Sequence, residues 1–597
     1  MVTQSSNGSN EFDVAIIGGG PAGSTAATML RKYDPSLRVV LVEKERFPRD
    51  HIGESQLPVI SSILNEMEVW DKVEAAGFPV KLGGTFSWGR NQDKWDIDFY
   101  PVERFKNEPR PGKYEGQRRF TAFQVDRSKY DTILLNHAAS KGAEVRQPAK
   151  VAEVLVEGDR VTGLRMEGGE TITARHYIDA SGTVAVLRRA LGIHVDVMRE
   201  LRNVAFWDYW QNADWAVEIG VGGTRIQVRS LPYGWIWFIP LGPTRTSVGL
   251  VTPVEHYTSC GMAPEALYRK ALAECADIAP LLKNATCEGK FTSCKDWSQL
   301  ADRIIGENWF LVGEAAGFAD PILSAGMSLA HSSARDAAYT IMELNRGEID
   351  AAWLRERFNE RHRTAISQHI RFGQFWYSAN ACFTDLKEHC QRIADDAGLR
   401  LEPIQAWRWL SQGGFANEII GHPTFGSFDV ASAKQILALF DPIGSVKTKY
   451  LASGFNEFKL NLRNTKHVKF GLLRNGRIEQ VDCLERGIHR LPLTGLYGTM
   501  YDALKQTPDI RAIVDALKDA TRRAEPGLPE SMFNVRIFSY LQALETMIEE
   551  HWVTPSLNRK KAPLIITHAG SKHIRSSEEG RRAVEAAEDH PTVVWRI

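Results

Sequence analysis

The sequence predicts an α/β protein in which a parallel, Rossmann-like sheet carries an inserted antiparallel sheet and is followed by a mainly helical C-terminal region. Three patterns predict this fold class. Short β-branched runs alternate with helical ones from Val14 to Glu43, which is typical of a βαβ unit. Two stretches rich in aromatic residues and strand formers, about 83–120 and about 203–252, predict the inserted sheet. Helical periodicity then dominates from about 325 to 420.

The C-terminal part contains a predicted hairpin followed by helices. The segment VKFGLLRNGRIEQVD places Asn475 and Gly476 between two strand-like runs, and helical patterns follow near Met500–Ala520 and Met532–His551. A hairpin next to helices resembles a winged helix. No basic helix with base-reading side chains stands out, so we expect a helical cap rather than a nucleic-acid-binding domain.

Composition excludes several classes of protein. The 597 residues include 73 Lys and Arg against 73 Asp and Glu, which argues against binding to nucleic acid or to an acidic membrane. No apolar run approaches the ~18 residues of a membrane span, and the N-terminus lacks the pattern of a secretory signal. Seven cysteines without a C-x-x-C pair predict neither a disulfide framework nor a metal site. We therefore expect a soluble, cytoplasmic protein.

A dinucleotide-binding fingerprint lies at the first strand–helix turn. Apolar FDVAIIG leads into Gly18–Gly23, which satisfies G-x-G-x-x-G at the mouth of the predicted helix. Gly18 permits the tight turn, Gly20 lets the backbone approach a pyrophosphate, and Gly23 allows the helix to pack closely on the strand. Glu43 ends the second predicted strand, where a carboxylate accepts hydrogen bonds from a ribose diol.

A second motif distinguishes FAD from NAD. The segment NWFLVGEAAGFADPILSAGMSLA, 308–330, resembles the second FAD motif of the aromatic-hydroxylase-type flavoprotein fold. The resemblance implies that Glu314 bonds the ribityl chain, although the family usually has Asp there, and that the helix opening near Gly326 points at the flavin. Asp179 and Gly182, in YIDASG, match the family's D-x-x-G. The implied FAD-binding residues are Gly18, Gly20, Ala22, Gly23, Glu43, Arg49, Arg127, Val151, Glu314, Gly326 and Met327.

Three further segments narrow the resemblance to flavin-dependent halogenases. GWIWFIP contains the W-x-W-x-I-P string of those enzymes, HIGES follows EKERFPR as it does in them, and Lys81 lies in a segment similar to the one that carries their lysine. The similarity is closest to the variant group acting on phenols, pyrroles and carrier-linked acyl groups, which includes the chloramphenicol-pathway halogenase.

The resemblance implies a mechanism and gives residues their roles. FADH2, oxygen and chloride or bromide yield hypohalous acid, and the amides of Ala325 and Gly326 hold the halide. Lys81 is the catalytic residue that either hydrogen-bonds the hypohalous acid as ammonium or captures it as a haloamine, which requires a neutral amine. A wall keeps the substrate away from the flavin, and its residues are Trp235, Trp237, Ile239 and Pro240.

One departure from the tryptophan-type enzymes bears on the substrate. Those enzymes carry a Glu after the D-P-L of this turn, and here the residue is Leu323. Without that carboxylate, we expect an electron-rich or enolisable substrate such as a phenol, a pyrrole or a 1,3-dicarbonyl, and not free tryptophan. The sequence leaves open whether the small-molecule substrate is free or carrier-tethered, and whether chloride or bromide is used.

Partners and alternatives complete the predictions. No second dinucleotide fingerprint appears, which favours a separate NAD(P)H-dependent flavin reductase. Asp296 stands where some relatives attach FAD covalently, but a structural role is expected. The predicted parts are a flexible lead, 1–11, a catalytic module, 12–370, and a region capping the substrate site, 371–597. The alternatives are an FAD-dependent monooxygenase or isoprenoid-type reductase on the same fold, and a non-catalytic flavin-binding protein.

Overall fold

A computed structural model gives the architecture as two compact units. It describes residues 10–88, 94–100, 105, 108–198, 201–295, 297–378, 450–487, 489–568, 574–575 and 593–596. The described residues of the first unit fall within Met1–Phe86, Val102–Cys382 and Leu473–Ile478, and those of the second within Ser87–Pro101, Phe383–Leu472 and Glu479–Ile597.

The strands of the described residues are, in chain order, β1 (Glu11–Ile17), β2 (Val39–Val42), β3 (Val80–Ser87), β4 (Lys94–Asp98), β5 (Ala122–Phe123), β6 (Glu144–Arg146), β7 (Val151–Glu157), β8 (Arg160–Met166), β9 (Thr171–Asp179), β10 (Val195–Val197), β11 (Asn203–Gln211), β12 (Gly223–Leu231), β13 (Gly234–Pro240), β14 (Arg245–Pro253), β15 (Thr286–Cys287), β16 (Thr292–Lys295), β17 (Gln299–Ala301), β18 (Trp309–Leu311), β19 (Gly317–Phe318), β20 (Glu457–Leu460), β21 (Lys466–Arg474), β22 (Arg477–Arg486), β23 (His489–Pro492), β24 (Val553–Ser556), β25 (Ile565–His568), β26 (Ile574–Arg575) and β27 (Val593–Arg596).

The α-helices of the described residues are α1 (Pro21–Tyr33), α2 (Pro58–Glu66), α3 (Trp70–Ala75), α4 (Arg127–Ser140), α5 (Val186–Ala190), α6 (Val254–Cys260), α7 (Pro264–Glu274), α8 (Gly326–Arg346), α9 (Ala351–Ser378), α10 (Gly495–Gln506), α11 (Ile510–Ala524) and α12 (Glu530–Glu549). Short 3₁₀ turns occur at Gly116–Phe120, Gly182–Val184, Ala279–Leu282, Gly313–Ala315 and Pro321–Leu323.

The first unit contains the predicted parallel sheet. Its strand order is β6-β2-β1-β9-β8-β7, with β18 pairing β9. The pairs β1–β2, β1–β9, β2–β6 and β9–β18 are parallel, whereas β7–β8 and β8–β9 are antiparallel. Helix α1 is the crossover between β1 and β2. Helix α1 packs against α8 and α4. The predicted βαβ unit is therefore confirmed, and its carboxyl edge carries the glycine turn.

The inserted sheet is also in the first unit, with the order β15-β11-β14-β13-β12-β3. The pairs β11–β14, β13–β14 and β12–β13 are antiparallel. Alternate residues of a strand point to opposite faces. Ile236 and Phe238 accordingly join the hydrophobic core under α6 and α7, while Trp235, Trp237 and Ile239 line the cavity on the other face.

The described C-terminal region is partly helical, as predicted, and also contains strands. Asn475 and Gly476 have positive φ angles of 48° and 74° between β21 and β22, which confirms the hairpin. The helical stretches predicted near Met500–Ala520 and Met532–His551 are confirmed: α10 and α11 cover the first, and α12 covers the second. Proline follows α10 at Pro508, and the Asp509 side chain caps α11 by accepting hydrogen bonds from its first amides.

Two predicted boundaries differ from the structure. Strand β1 begins at Glu11, inside the predicted lead, and residues 1–9 lie outside the described residues. The boundary predicted between residues 370 and 371 falls within α9, whose helical turns continue to Ser378.

Candidate active site

The turn between β1 and α1 contains two glycines at positions that a larger side chain could not occupy. Gly18 has a φ of +104°, and a Cβ there would lie 2.3 Å from the carbonyl oxygen of Ala180. A Cβ on Gly23 would lie 1.9 Å from the carbonyl oxygen of Gly18. The first glycine permits the turn and the second permits close packing of the helix on the strand, as the fingerprint predicts.

Glu43 follows β2 directly, and its carboxylate lies beside this turn. The backbone N–H of Gly19 donates to its Oε2 at 2.7 Å, and the N–H of Glu45 donates to its Oε1 at 2.9 Å. A carboxylate oxygen can accept more than one hydrogen bond. The carboxylate is thus held in place and still able to accept from a diol.

A cavity of about 600 Å³ in the first unit extends from the glycine turn to the inner face of the inserted sheet. The predicted site residues that line it are Gly18, Gly20, Ala22, Glu43, Arg49, Arg127, Val151, Glu314, Gly326, Met327, Trp235, Trp237 and Ile239. Gly23, Lys81, Pro240 and Ala325 are not part of its lining. Predicted residues thus line the cavity both at the glycine turn and at the inserted sheet, and their roles stay predictions.

Two arginines at the cavity share one aspartate. Arg127, the first residue of α4, donates to both oxygens of Asp131 at 2.7 and 2.9 Å and to the carbonyl oxygen of Ile52 at 2.9 Å. Arg49 Nη1 lies 3.3 Å from Asp131 Oδ2. Burial raises the pKa of Glu314, and Arg127 opposes that shift. Both guanidinium groups are held in the cavity wall, where they can donate to an anionic group.

Asp179, from the predicted D-x-x-G, shapes the turn and does not line the cavity. Its carboxylate accepts hydrogen bonds from the N–H groups of Ser181 and Leu187 at 3.0 and 2.8 Å. Gly182 of the same motif lines the cavity.

The second motif forms a tight turn ahead of α8. The Asp320 carboxylate accepts a hydrogen bond from the Ile322 N–H at 2.9 Å, which caps the 3₁₀ turn Pro321–Leu323. Ser324 ends this turn in the left-handed conformation, with a φ of +59°, and Gly326 begins α8. Ser324 and Gly326 both line the cavity, so the start of α8, where helical N–H groups lack intrahelical partners, faces it.

Lys81 is the second residue of β3, and its side chain is buried. Its Nζ donates a hydrogen bond to Ser324 Oγ at 3.2 Å. Burial lowers the pKa of Lys81 to about 7, because desolvation disfavours the ammonium form. The structure therefore brings the predicted lysine next to the turn that contains Ala325 and Gly326, and neutral pH leaves it partly as amine and partly as ammonium.

Three indoles form a wall of the cavity. The rings of Trp235 and Trp237 lie 6.0 Å apart between centroids, and Trp207 of β11 lies 6.3 Å from Trp237. A Cβ on Gly249, the cross-strand partner of Trp237, would lie 2.2 Å from that ring. The Trp237 Nε1–H donates to Ser247 Oγ at 3.1 Å. The Trp237 ring thus packs directly against the backbone at Gly249, and its indole N–H has a hydrogen-bond partner.

A buried hydrogen-bond network joins this wall to the turn. The Trp235 Nε1–H donates to the Tyr377 hydroxyl at 2.9 Å, and that hydroxyl donates to Asp320 Oδ1 at 2.9 Å. The Trp297 Nε1–H donates to Asp320 Oδ2 at 3.2 Å, and the Asn203 side chain adds a further hydrogen bond. Burial raises the pKa of Asp320 to about 6 against these bonds. Sequence reasoning missed this network, and the D-P before the turn was the one signal for it.

Glu54, in the HIGES segment, is a buried acid of the cavity wall. Burial raises its pKa to about 7, while hydrogen bonds with Ser247 and Tyr209 oppose the shift. The sequence singled out this segment but gave Glu54 no role.

Comparisons with known proteins decide the family. The tryptophan halogenase family model matches residues 13–107 and 102–391. A 1H-pyrrole-2-carbonyl-[peptidyl-carrier protein] chlorinase from Pseudomonas fluorescens is 32% identical over 449 residues, which cover 71% of this chain and 99% of that protein. The chain belongs to the flavin-dependent halogenases. Enzymes of this family are oxidoreductases that use FAD and a halide.

Two further similarities concern this halogenase. A tryptophan 2-halogenase from Chondromyces crocatus is 32% identical over 380 residues, which cover 62% of this chain and 68% of that protein. The crystal structure of CmlS, a flavin-dependent halogenase, matches with a TM-score of 0.67 at 25% identity and covers 93% of this chain and 97% of that chain.

The cavity of this halogenase fits FAD. Helix α1 begins with no side-chain hydrogen bond at its N-cap, Gly20, which leaves its first N–H groups for a pyrophosphate. A Cβ on Gly20 would come no closer than 3.6 Å to its nearest neighbour, Arg49, so the backbone is open towards the cavity. Glu43 would then hold the ribose, and the start of α8 at Gly326 would face the flavin ring.

Two predictions for the halogenase concern residues that the structure describes only in part. Asp296, considered for covalent attachment of FAD, lies outside the described residues. Within the described ranges, no helix has both the length and the apolar character needed to cross a bilayer.

Proposed function

We propose that this halogenase makes hypohalous acid from FADH2, O2 and chloride or bromide, and that Lys81 relays the halogen to an electron-rich or enolisable carbon. The observation that carries the proposal is the hydrogen bond from Lys81 to Ser324, which puts a buried lysine beside the turn containing Ala325 and Gly326. When bound, the reduced flavin supplies the electrons that activate O2 for oxidation of the halide. The protein residues hold the halide, receive the product and keep out water.

The amides of Ala325 and Gly326 are the proposed halide ligands. They precede and open α8, whose 21 residues align peptide dipoles with the positive end at this turn. Backbone N–H groups at such a turn provide a small site of positive potential without a charged side chain.

Lys81 has two candidate roles that its protonation state separates. As a neutral amine it attacks the halogen of hypohalous acid, so that an N–X bond forms, the O–X bond breaks, and the leaving hydroxide takes the amine proton as water. As ammonium it donates a hydrogen bond to intact hypohalous acid. The pKa of about 7 supports either role at neutral pH.

The aromatic wall would keep the organic substrate away from the flavin. Trp207, Trp235 and Trp237 present closely spaced indoles towards the cavity, and Ile239 continues this surface along β13. Such a barrier prevents direct oxygen transfer to the substrate while a small oxidant reaches Lys81. Pro240 ends β13 behind this surface.

The substrate is proposed to be electron-rich or enolisable, so that it reacts with the halogen without help from a protein carboxylate. Leu323 offers no carboxylate to stabilise a cationic intermediate or to take its proton, so the ring or enol must stabilise the charge. The Pseudomonas fluorescens relative is named for a pyrrole on a carrier protein and supports this class, whereas the Chondromyces crocatus relative is named for tryptophan. Tryptophan therefore belongs in the assay as the contrary case.

The reduced flavin is proposed to come from a separate NAD(P)H-dependent reductase, and FAD is proposed to bind without a covalent bond to Asp296. Acid precipitation tests the second point, since non-covalent FAD moves to the supernatant. A yellow, washed pellet would contradict it.

The test of function is a bromination assay. Purified protein is incubated with FAD, an unrelated flavin reductase, NADH, oxygen and bromide, with monochlorodimedone, phenols, pyrrole-2-carboxylate and tryptophan as substrates. Mass spectrometry should show a bromine isotope pattern that disappears with Lys81→Ala while FAD binding is retained.

Other outcomes identify the alternatives. Bromination that survives Lys81→Ala means that hypobromous acid escapes and that the lysine role is wrong. Oxygen insertion or hydrogenation without bromination favours the monooxygenase or reductase. Bound FAD whose reduced form yields no product with any substrate, free or carrier-bound, favours the non-catalytic protein.

A further inference from the structure

Asp320 is the point where distant parts of the first unit meet at the turn before α8. Its carboxylate accepts hydrogen bonds from the Tyr377 hydroxyl of α9, the Trp297 indole and the Asn203 side chain of β11. It also accepts from the Ile322 N–H within the turn itself. These donors tie the turn to elements that are far apart in sequence.

The turn that Asp320 caps leads into the amides proposed to bind the halide and contains the residue that accepts a hydrogen bond from Lys81. The proposed halide amides, Ala325 and Gly326, come three and four residues after Ile322, the residue that the Asp320 carboxylate caps. Ser324, which accepts a hydrogen bond from Lys81, directly precedes them. Ser324 holds a left-handed φ of +59°, which a residue with a side chain adopts at a free-energy cost. Bonds elsewhere must therefore maintain this conformation.

We propose that Asp320 and Tyr377 are positioning residues that set the halide affinity of the enzyme by fixing the turn which presents the Ala325 and Gly326 amides. The inference rests on the proposed function, since it assumes that these amides bind the halide. Tyr377 is the link through which α9 and the Trp235 wall act on the turn, because its hydroxyl accepts from Trp235 and donates to Asp320.

The protonation state of Asp320 follows from its surroundings. Among the residues that the structure describes, the groups that donate to its carboxyl are the Tyr377 hydroxyl, the Trp297 indole, the Asn203 side chain and the Ile322 amide, and within that set Tyr377 is the titratable one. All of them donate, so a proton on either carboxylate oxygen displaces a donor. Burial raises the Asp320 pKa to about 6, so the network is complete at neutral pH and is lost as the pH falls through that value.

The test uses Tyr377→Phe in the full-length, FAD-loaded protein. The variant keeps the ring and removes the hydroxyl that bonds the carboxylate. Bromide binding is followed at equilibrium by its effect on the visible spectrum of oxidised FAD, independently of turnover. We expect the bromide Kd to rise about tenfold, the size expected for losing one hydrogen bond to an ionised group. The KM for bromide should rise similarly while kcat changes little.

The pH dependence of bromide binding is the readout that a merely structural role would not move. In the wild type, affinity should weaken below about pH 6, where Asp320 becomes protonated. In Tyr377→Phe this inflection should move to higher pH, because the Asp320 carboxylate has lost a hydrogen-bond donor and its pKa therefore rises. Asp320→Asn should bind bromide weakly and show no inflection at all.

Tyr268→Phe is the matched control. The Tyr268 hydroxyl also accepts an indole N–H, from Trp210 at 3.0 Å, and donates to an oxygen, the Val248 carbonyl, at 3.0 Å. It lies in the core beneath the other face of the inserted sheet. Tyr268→Phe should leave the bromide Kd and its pH inflection unchanged.

The outcomes separate the inference from the proposed function. Wild-type bromide binding with equal Kd values and inflections in Tyr377→Phe would overturn the role of the network and leave the halogenase proposal intact. Wild-type protein that binds FAD but shows neither bromide binding nor bromination would overturn both. Equal weakening in Tyr268→Phe would show a general loss of packing and would also overturn the inference.

Discussion

Lys81 donates a hydrogen bond to Ser324 at 3.2 Å although 243 positions separate the two residues in the chain. Strand β3 of the inserted sheet supplies the lysine, and the turn leading from the parallel sheet into α8 supplies the serine. This contact joins the inserted sheet to the turn before α8 at the proposed halide site. A hypohalous acid formed at the turn would therefore meet Lys81 close to where it is made.

The first prediction concerns pH. Because the Lys81 pKa is about 7, the rate of bromination at saturating substrate should show an inflection near pH 7. If the amine is the reactive form, the rate rises with pH through this value. If the ammonium is the reactive form, the rate falls.

Lys81→Arg separates the two forms, because arginine stays protonated. The haloamine role predicts an inactive variant, and the ammonium role predicts partial activity without the inflection. Glu54 also has a pKa of about 7, so an inflection that persists in an active Lys81→Arg variant would be assigned to Glu54. That result would contradict the assignment to Lys81.

The second prediction concerns Ser324. Ser324→Ala removes one hydrogen-bond acceptor that favours the ammonium form, so the Lys81 pKa should fall and the inflection should move to lower pH. If the ammonium is the reactive form, bromination near neutral pH should decrease, because less ammonium remains; if the amine is the reactive form, the lower pKa by itself should not decrease it. The measurement is the pH–rate profile of both proteins. An unmoved inflection would mean that this hydrogen bond does not tune the lysine.

Local patterns predicted the parts of the fold that depend on neighbouring residues. The glycine fingerprint specifies a turn whose geometry follows from Gly18 and Gly23 themselves, and the structure has both at positions that exclude a larger side chain. Glu43 lies beside this turn, and its role at a ribose stays a prediction. Asn475 and Gly476 likewise specify their hairpin through positive φ angles. Helical patterns likewise predicted the region of α10 and α11, which Pro508 separates.

Contacts across long sequence distances could not be predicted from residue patterns. Lys81 and the turn near Gly326 were both proposed for the site, but no pattern indicated that Ser324 would join them. Tyr377 is an aromatic residue in a long helix, where core packing is the ordinary interpretation. Its bonds to Asp320 and Trp235 depend on how α9 docks, which is a tertiary property.

The third prediction concerns cofactor binding. Gly23→Ala places a methyl group 1.9 Å from the Gly18 carbonyl oxygen, so helix and strand must separate and the pyrophosphate turn must shift. We expect FAD affinity to fall at least tenfold and the melting temperature to decrease. Gly168→Ala is the control, because its Cβ would meet no atom within 4 Å. Titration with FAD, followed by flavin fluorescence, checks the pair, and equal affinities would contradict the prediction.

The fourth prediction concerns the wall. Gly249→Ala places a Cβ 2.2 Å from the Trp237 ring. Because the ring packs directly against the backbone at this position, it must move to make room for the methyl group. Overpacking of this kind costs about 1–3 kcal/mol of folding free energy. We also expect a functional effect, because a displaced indole opens the barrier between the flavin and the substrate. The fraction of NADH-derived electrons that end in halogenated product should fall, with hydrogen peroxide or oxygenated product rising in its place.

Gly242→Ala provides the comparison for this variant, since it lies just beyond β13 and a Cβ there would meet no atom within 4 Å. Its melting temperature and its coupling ratio, the fraction of NADH-derived electrons that end in halogenated product, should match those of the wild type. If Gly249→Ala is destabilised but keeps wild-type coupling, Trp237 contributes packing alone. If Gly249→Ala directs a smaller fraction of the NADH-derived electrons into halogenated product at a temperature where it is fully folded, the barrier role is supported. Lost stability by itself would reduce the amount of active protein but would not change that fraction.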